Sequence, residues 1–332
     1  MHPRTSFNRT ARLTATVTLS GVMLARALGA QSVPGPTAQP TALAAAALKA
    51  PGITGVVAAG TPIELLKSGL SGTEGPIALK DGSLIFTERE ANRVTHIGLD
   101  GSFTPYIEDT EGVNSLTIDP RGRLLAVQWI VPRVVDISKK PFAVLADTYG
   151  GRPLGRPNDL IADAKGGVYF SDPGLVAPSK PTLFYLTPGN RVVALDDTIE
   201  RPNGVQLSPD GTRLYAANTA GAHIFVYDIL ADGSVANRRT FAELQGVRKT
   251  DAGLNSGADG LTIDSEGRLY VASNIGVQVF SAGGAALGVI ELPVAPQNLA
   301  FAGVGKNVLF VVGRGNAYRI SMIARGFAGR PK

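Results

Sequence analysis

The chain has 332 residues and no cysteine, which excludes disulfides, thiolate metal centres and thiol nucleophiles. Four of its five net positive charges come from residues 1–30, which carry Arg4, Arg9, Arg12 and Arg26 and no acid. The rest holds 28 basic against 27 acidic residues. No basic surface is left for a phosphate backbone, so a nucleic-acid partner is excluded.

In chain order, Arg4–Arg12 form a basic region, Leu13–Leu24 a short apolar one, and Leu28-Gly29-Ala30 a cleavage-like site. This is the pattern of a signal peptide over 1–30, cut near Ala30, and it predicts a periplasmic or secreted protein. The apolar run is too short to span a bilayer. Residues 31–60 are rich in Pro and Ala and nearly uncharged, which predicts a linker with one helical turn at Ala42–Ala50.

From residue 61 a repeat takes over. Six segments share a polar anchor, an alternating apolar stretch and a glycine eight residues after the anchor. They are EGPIALKDG at Glu74, NSLTIDPRG at Asn114, NDLIADAKG at Asn158, NGVQLSPDG at Asn203, DGLTIDSEG at Asp259 and QNLAFAGVG at Gln297. A second β-prone run follows each glycine, as in SLIFTE and RLYVASN, so each unit opens with a hairpin. Anchor spacings of 40, 44, 45, 56 and 38 residues suit four-stranded propeller blades.

The predicted fold is all-β, a six-bladed β-propeller over 61–325, with 326–332 as a tail. Thr61–Lys67 supplies the missing strand of the last blade. A parallel β-helix would need shorter repeats. The longest gap, before Asp259, holds FAELQGVRKTDAGLNSGA, and blade 3 carries PGLVAPSKPT. Both read as loops at the rim of a site.

Equivalent positions on the first strands of a propeller form a ring about its axis. Here the ring reads Glu74, Asn114, Asn158, Asn203, Asp259 and Gln297, all oxygen-bearing. An isolated Asn at a strand start is more simply a turn cap. Six in register predict a hard-oxygen cage with two negative charges, suited to Ca²⁺ and less strictly to Mg²⁺ or Mn²⁺. Zinc is disfavoured because His2, His96 and His223 all fall off the ring.

The segments TEGPIAL, RPNDLIAD, RPNGVQLSPDGTRLYAAN, GADGLTIDSEGRLYVAS and QNLAFAG resemble the senescence marker protein/gluconolactonase family, in its bacterial sugar-lactonase branch. The likeness covers nearly all of residues 70–320. It implies one divalent cation, usually calcium, with Mg²⁺, Mn²⁺ or Zn²⁺ as substitutes. Glu74, Asn203 and Asp259 would hold it, with Asn158 beside it contacting substrate or a bound water, and Arg156 matches a substrate-holding position.

The resemblance further implies opening of a sugar lactone or related cyclic ester; with no histidine on the ring, Asp259 is the candidate general base, and Asn158 a hydrogen-bonding partner to substrate or water. Asn114 and Trp129 are further substrate-binding candidates. Trp129 reads either as a stacking face for a sugar-like ring or as packing at a blade edge. Relatives commonly read Leu-Leu-Ala-Cys-Glu-His where this chain has Leu124-Leu125-Ala126-Val127-Gln128-Trp129, which bears on the substrate. Two other functions fit the same ring: a non-catalytic ligand- or protein-binding propeller with structural Ca²⁺, and a phosphotriesterase-like hydrolase. The oligomeric state is not encoded in any motif.

Overall fold

The computed structural model describes residues 48–332. The signal-peptide and cleavage-site expectations, and residues 31–47 of the expected linker, lie outside them. Among the described residues every regular element is a strand, and no helix is long and apolar enough to cross a membrane.

Six antiparallel four-stranded sheets form the blades. The first strands of blades 1–6 are Thr73–Ala78, Val113–Ile118, Leu160–Ala162, Pro202–Leu207, Leu261–Ile263 and Asn298–Ala302. Each packs against the first strand of the next blade, and the sixth packs against the first, so the ring closes. Closure is completed as expected: Ile63–Lys67 pairs antiparallel with Asn316–Ser321 as the outer strand of blade 6. Pairing the last blade with the chain's own early strand completes its four strands and closes the ring, leaving only the short outer edges of the blades.

The apolar faces of neighbouring blades meet in six clusters. Phe86, Phe310 and Ala300 bridge blades 6 and 1, and Tyr169, Tyr185 and Tyr215 lie at the seams flanking blade 4. Strands buried on both faces explain why the apolar runs of the middle strands are nearly continuous.

The sixth repeat departs from the sequence reading by one residue. In blades 1, 2, 3 and 5 the first hairpin leaves five residues between its last paired residues, and the fourth of them is the left-handed glycine. In blade 6 the last pair is Ala302 with Val308, which places Lys306 at that position with φ +48°, and its N–H bonds Gly303 O as the other turn glycines bond theirs. The sixth anchor is therefore Asn298, not Gln297. A lysine in the glycine's place hid the register.

Two further corrections concern the ends. Residues 48–60 are not a linker. Ala50, Ile53, Val56 and Val57 are buried against Tyr270, Phe301 and Ile320, and Ile323 N–H bonds Val56 O. The apolar content of ITGVVAAG fills the seam between blades 5 and 6. Residues 326–332 are likewise no loose tail: Phe327 N–H bonds Ile263 O, and Lys332 is buried.

Two extra hairpins, Thr148–Tyr149 with Arg152–Pro153 and Arg248–Thr250 with Gly253–Asn255, sit in the connections entering blades 3 and 5. The second lies in the predicted long gap. Strand alternation puts these connections at the anchor end of the channel, together with residues 173–181.

Candidate functional site

The anchors gather because each first strand starts at the axis and the blades crowd there. Asn203 and Asp259 are each followed by glycine, and a Cβ on Gly204 would lie 2.1 Å from Asp259 O, one on Gly260 2.1 Å from Asn298 Oδ1. No other residue fits so close an approach. Irregular pairing follows Glu74 and Pro202 and flanks Asn114, and such bulges re-aim a side chain out of the pleat toward the channel.

The ring members divide by whether their oxygens are already partnered. Asn114 accepts from Arg89 Nη1 at 2.6 Å and donates from Nδ2 to Asn158 O at 2.8 Å. Both ends of its amide are thus engaged, the nitrogen bracing the Asn158 backbone. Asn298, missed by the sequence reading, donates to Glu74 Oε2 at 3.0 Å, and Gln297 donates to Glu74 Oε1 at 3.3 Å.

Asn158 Oδ1, Asn203 Oδ1 and Asp259 Oδ1 are buried and have no hydrogen-bond partner. The Asn203 amide is oriented by Nδ2 donating to Thr219 Oγ1 at 3.0 Å, and Thr219 in turn donates to Ala258 O at 2.7 Å.

Glu74 is 2% exposed, and burial pushes its carboxyl up to about 7 against the pull of its bonds from Asn298 and Gly75. Asp259 is raised well above the ordinary aspartate value by burial first, then by the charges of Glu74 and Asp159; Arg201 and Arg314 oppose the shift. Two carboxylates with three unpartnered buried oxygens and no paired base are an unstable set by themselves, because buried polar groups need partners. The donor set fits a hard divalent cation, which takes carboxylate and amide oxygens together. Among the described residues no three of His, Cys, Asp and Glu gather into a metal-binding group, so the nitrogen- and sulfur-rich donor sets of structural zinc are not present there. His96 and His223 stand on the third strands of blades 1 and 4, off the ring.

At the rim, Trp129 directly follows the second strand of blade 2 and donates from Nε1 to Pro157 O at 2.8 Å. Its ring faces the Arg89 guanidinium at 4.1 Å and that of Arg156 at 5.6 Å. Arg156, with φ +93°, is exposed two residues before Asn158. Trp129 and Arg156 therefore meet beside the cluster, which their separation in sequence did not announce.

Gln128 does not face the site. It is fully buried, donates to Thr110 O at 2.7 Å and accepts from Arg133 Nε at 2.5 Å. Glu88, at the same place in blade 1, accepts from Arg93, so this position closes a blade edge whether it is Glu or Gln. Asp172 accepts from Gly155 N–H at 2.6 Å and Gly174 N–H at 2.9 Å, which fixes the loop that carries Arg156. A cavity of about 350 Å³ lies between the Thr148–Pro153 hairpin and residues 178–182, and no ring residue lines it.

Comparison with known proteins bears on this arrangement. Residues 72–314 match the SMP-30/Gluconolactonase/LRE-like region. The gluconolactonase of Zymomonas mobilis is 28% identical over 301 residues, which cover 81% of this chain and 84% of that protein. Regucalcin of Xenopus laevis is 24% identical over 225 residues, covering 65% and 73%. Among solved structures, a gluconolactonase from Xanthomonas campestris superposes with a TM-score of 0.71 at 24% identity, covering 84% of this chain and 98% of its own. The calcium-binding protein regucalcin from Agrobacterium tumefaciens superposes at 0.67 with 19% identity, covering 80% and 95%.

Proposed function

The chain belongs to the SMP-30/gluconolactonase/LRE-like family, and on that premise we propose that it hydrolyses lactones at the Glu74–Asn158–Asn203–Asp259 cluster with the aid of one divalent cation, calcium foremost. The observation that carries the metal is the trio of buried, unpartnered oxygens on Asn158, Asn203 and Asp259 beside a second buried carboxylate.

Glu74, Asn203 and Asp259 would hold the ion, with Asn158 Oδ1 adjoining. When bound there, a divalent cation supplies Lewis acidity toward a carbonyl oxygen and lowers the pKa of water. Glu74 is kept in place by Asn298 and Gln297, and the Asn203 amide by Thr219. Asn158 Nδ2 makes no bond within the protein among the described residues and is free to donate to a substrate or water oxygen.

Asp259 accepts the proton of the attacking water at its carboxylate. Its Oδ1 is buried and has no partner within the protein, which leaves it available to that proton. The water oxygen bonds the lactone carbonyl carbon, the ring C–O bond breaks, and the same proton passes to the departing alkoxide. Above the cluster, the Trp129 face and the Arg156 guanidinium flank the mouth and suit a polyhydroxylated ring, with stacking on one and donors from the other.

The test is lactone opening by the EDTA-stripped protein, followed on a panel of aldonolactones, simple lactones and aryl phosphates. Activity on lactones is expected to vanish on chelation and to return with Ca²⁺, Mn²⁺ or Mg²⁺. Activity that persists after rigorous chelation, or in Asp259→Ala, overturns the reading. The basic and apolar run at residues 4–24 supports export, which fractionation of expressing cells would check.

A further inference from the structure

The channel holds a third carboxylate, and the protein supplies its counter-charge. Asp159 follows Asn158, is fully buried, and accepts from Ser115 Oγ of blade 2 at 2.6 Å and from Val205 N–H of blade 4 at 3.0 Å. Lys332 Nζ lies 2.5 Å from both of its oxygens, and both side chains of this ion pair have 0% exposure.

The segment that brings Lys332 there touches the channel end opposite the anchors. Phe327 N–H bonds Ile263 O of blade 5, and Lys306 Nζ of blade 6 donates to Phe327 O at 3.0 Å and to Arg330 O. Arg330 Nη2 donates to Leu207 O at 2.7 Å and Ser208 O at 2.6 Å on blade 4, and Ala78 N–H of blade 1 bonds Pro331 O at 2.8 Å. Through Asp159 and these bonds, residues 326–332 are tied to all six blades.

Glu74, Asp159 and Asp259 therefore bring three carboxylates into one channel, with Asp159 immediately after the Asn158 anchor. Three buried negative charges exceed what one divalent ion balances, and a buried charge without a partner is costly.

We propose that Lys332 is the channel's built-in counter-cation: by cancelling Asp159 it leaves the cluster above with the two charges a divalent ion matches, and it positions the Asn158–Asp159 turn. This rests on the metal reading of the cluster. A plain structural peg would stabilise the fold equally with and without the ion. A counter-cation competes electrostatically with it. Removing Lys332 therefore destabilises the metal-free protein most and strengthens the hold on the ion.

The experiment measures melting temperature of the full chain in EDTA and in calcium, and calcium affinity by calorimetry, for the wild type, Lys332→Met, Asp159→Asn and the double variant. Lys332→Met is expected to lose more melting temperature in EDTA than in calcium and to bind calcium about tenfold tighter, or more, since one unit charge is unmasked nearby. Asp159→Asn should shift affinity the opposite way, and the double variant should return to the wild-type value.

Equal losses with and without calcium, at unchanged affinity, overturn the counter-cation role. A wild type that calcium neither stabilises nor binds sinks the metal reading itself, and the counter-cation role with it. Should Lys332→Met not fold, Asp159→Asn and the double variant decide alone: weaker binding in the first, restored in the second, supports the role, and equal affinity in both overturns it.

Discussion

Asn158 and Asp159 are neighbours in sequence, yet they face two ends of one channel that are solved differently. Toward the anchor end, Asn158 joins Asn203 and Asp259 with oxygens that nothing in the protein satisfies, and Glu74 is held near 7 by burial. Toward the other end, both oxygens of Asp159 are saturated by a serine, a backbone amide and a buried lysine. The same fold, ring and polarity thus yield one end whose carboxylate is partnered on both oxygens and one where buried oxygens have no partner within the protein. The difference is whether a segment outside the repeat brings a positive charge, and it separates a structural polar core from a site left open for chemistry.

The sharpest way to break this contrast is Asp259→Ala. On the proposed function it removes the base and a cation ligand together, and lactone turnover should fall by about 10³-fold or more while the fold persists. Steady-state rates alongside a melting curve check both halves. At the closed end, Asp159→Ala strands the Lys332 ammonium without a partner, and chemical denaturation should show a loss of about 3–5 kcal/mol.

Gly204→Ala tests the crowding that assembles the ring. A Cβ 2.1 Å from Asp259 O must push the strands of blades 4 and 5 apart, for a loss of about 1–3 kcal/mol together with weaker calcium binding.

A smaller effect is expected at the rim, where Trp129→Ala removes the face between Arg89 and Arg156. On the proposed role of Trp129 in holding substrate away from the reacting bond, KM for a sugar lactone should rise several-fold with kcat nearly unchanged.

A further test concerns Lys306, which holds the tail carbonyls. Burial and then Arg330 lower its pKa from 10.5 to about 8. The unfolded chain therefore binds more protons between pH 8 and 10.5. The cost of the buried ammonium is fully present below about pH 8 and fades as pH rises toward 10.5, so wild-type stability should climb relative to Lys306→Met across that window. Parallel pH profiles of the two proteins would rule the shift out.

Much of the ring was legible because repetition writes each blade in the same characters. Five anchors and five turn glycines stand where their offsets put them, and the strand from Ile63 closes blade 6 as its position implied. The sixth repeat was misread by one residue because Lys306 adopts the left-handed turn conformation usually given to glycine, so Asn298 was overlooked as the partner of Glu74. Gln128 looked like a lost site residue, and only its bonds to Thr110 and Arg133 show that it closes a blade edge. The segment 48–60 read as a linker because a stretch that fills one seam between blades carries no periodicity of its own.

Sequence alone determined the blade number, the strand content and the identity of most channel-lining oxygens, since these follow from local periodicity and equivalent positions in a repeat. Tertiary structure decided which oxygens are satisfied and which are left free. That distinction depends on contacts between residues far apart in the chain, such as Lys332 with Asp159 and Asn298 with Glu74, separated by 173 and 224 positions. A hydrogen bond or ion pair forms only where packing has brought its two ends together and excluded water, and no repeat pattern encodes a partner that lies outside the repeat.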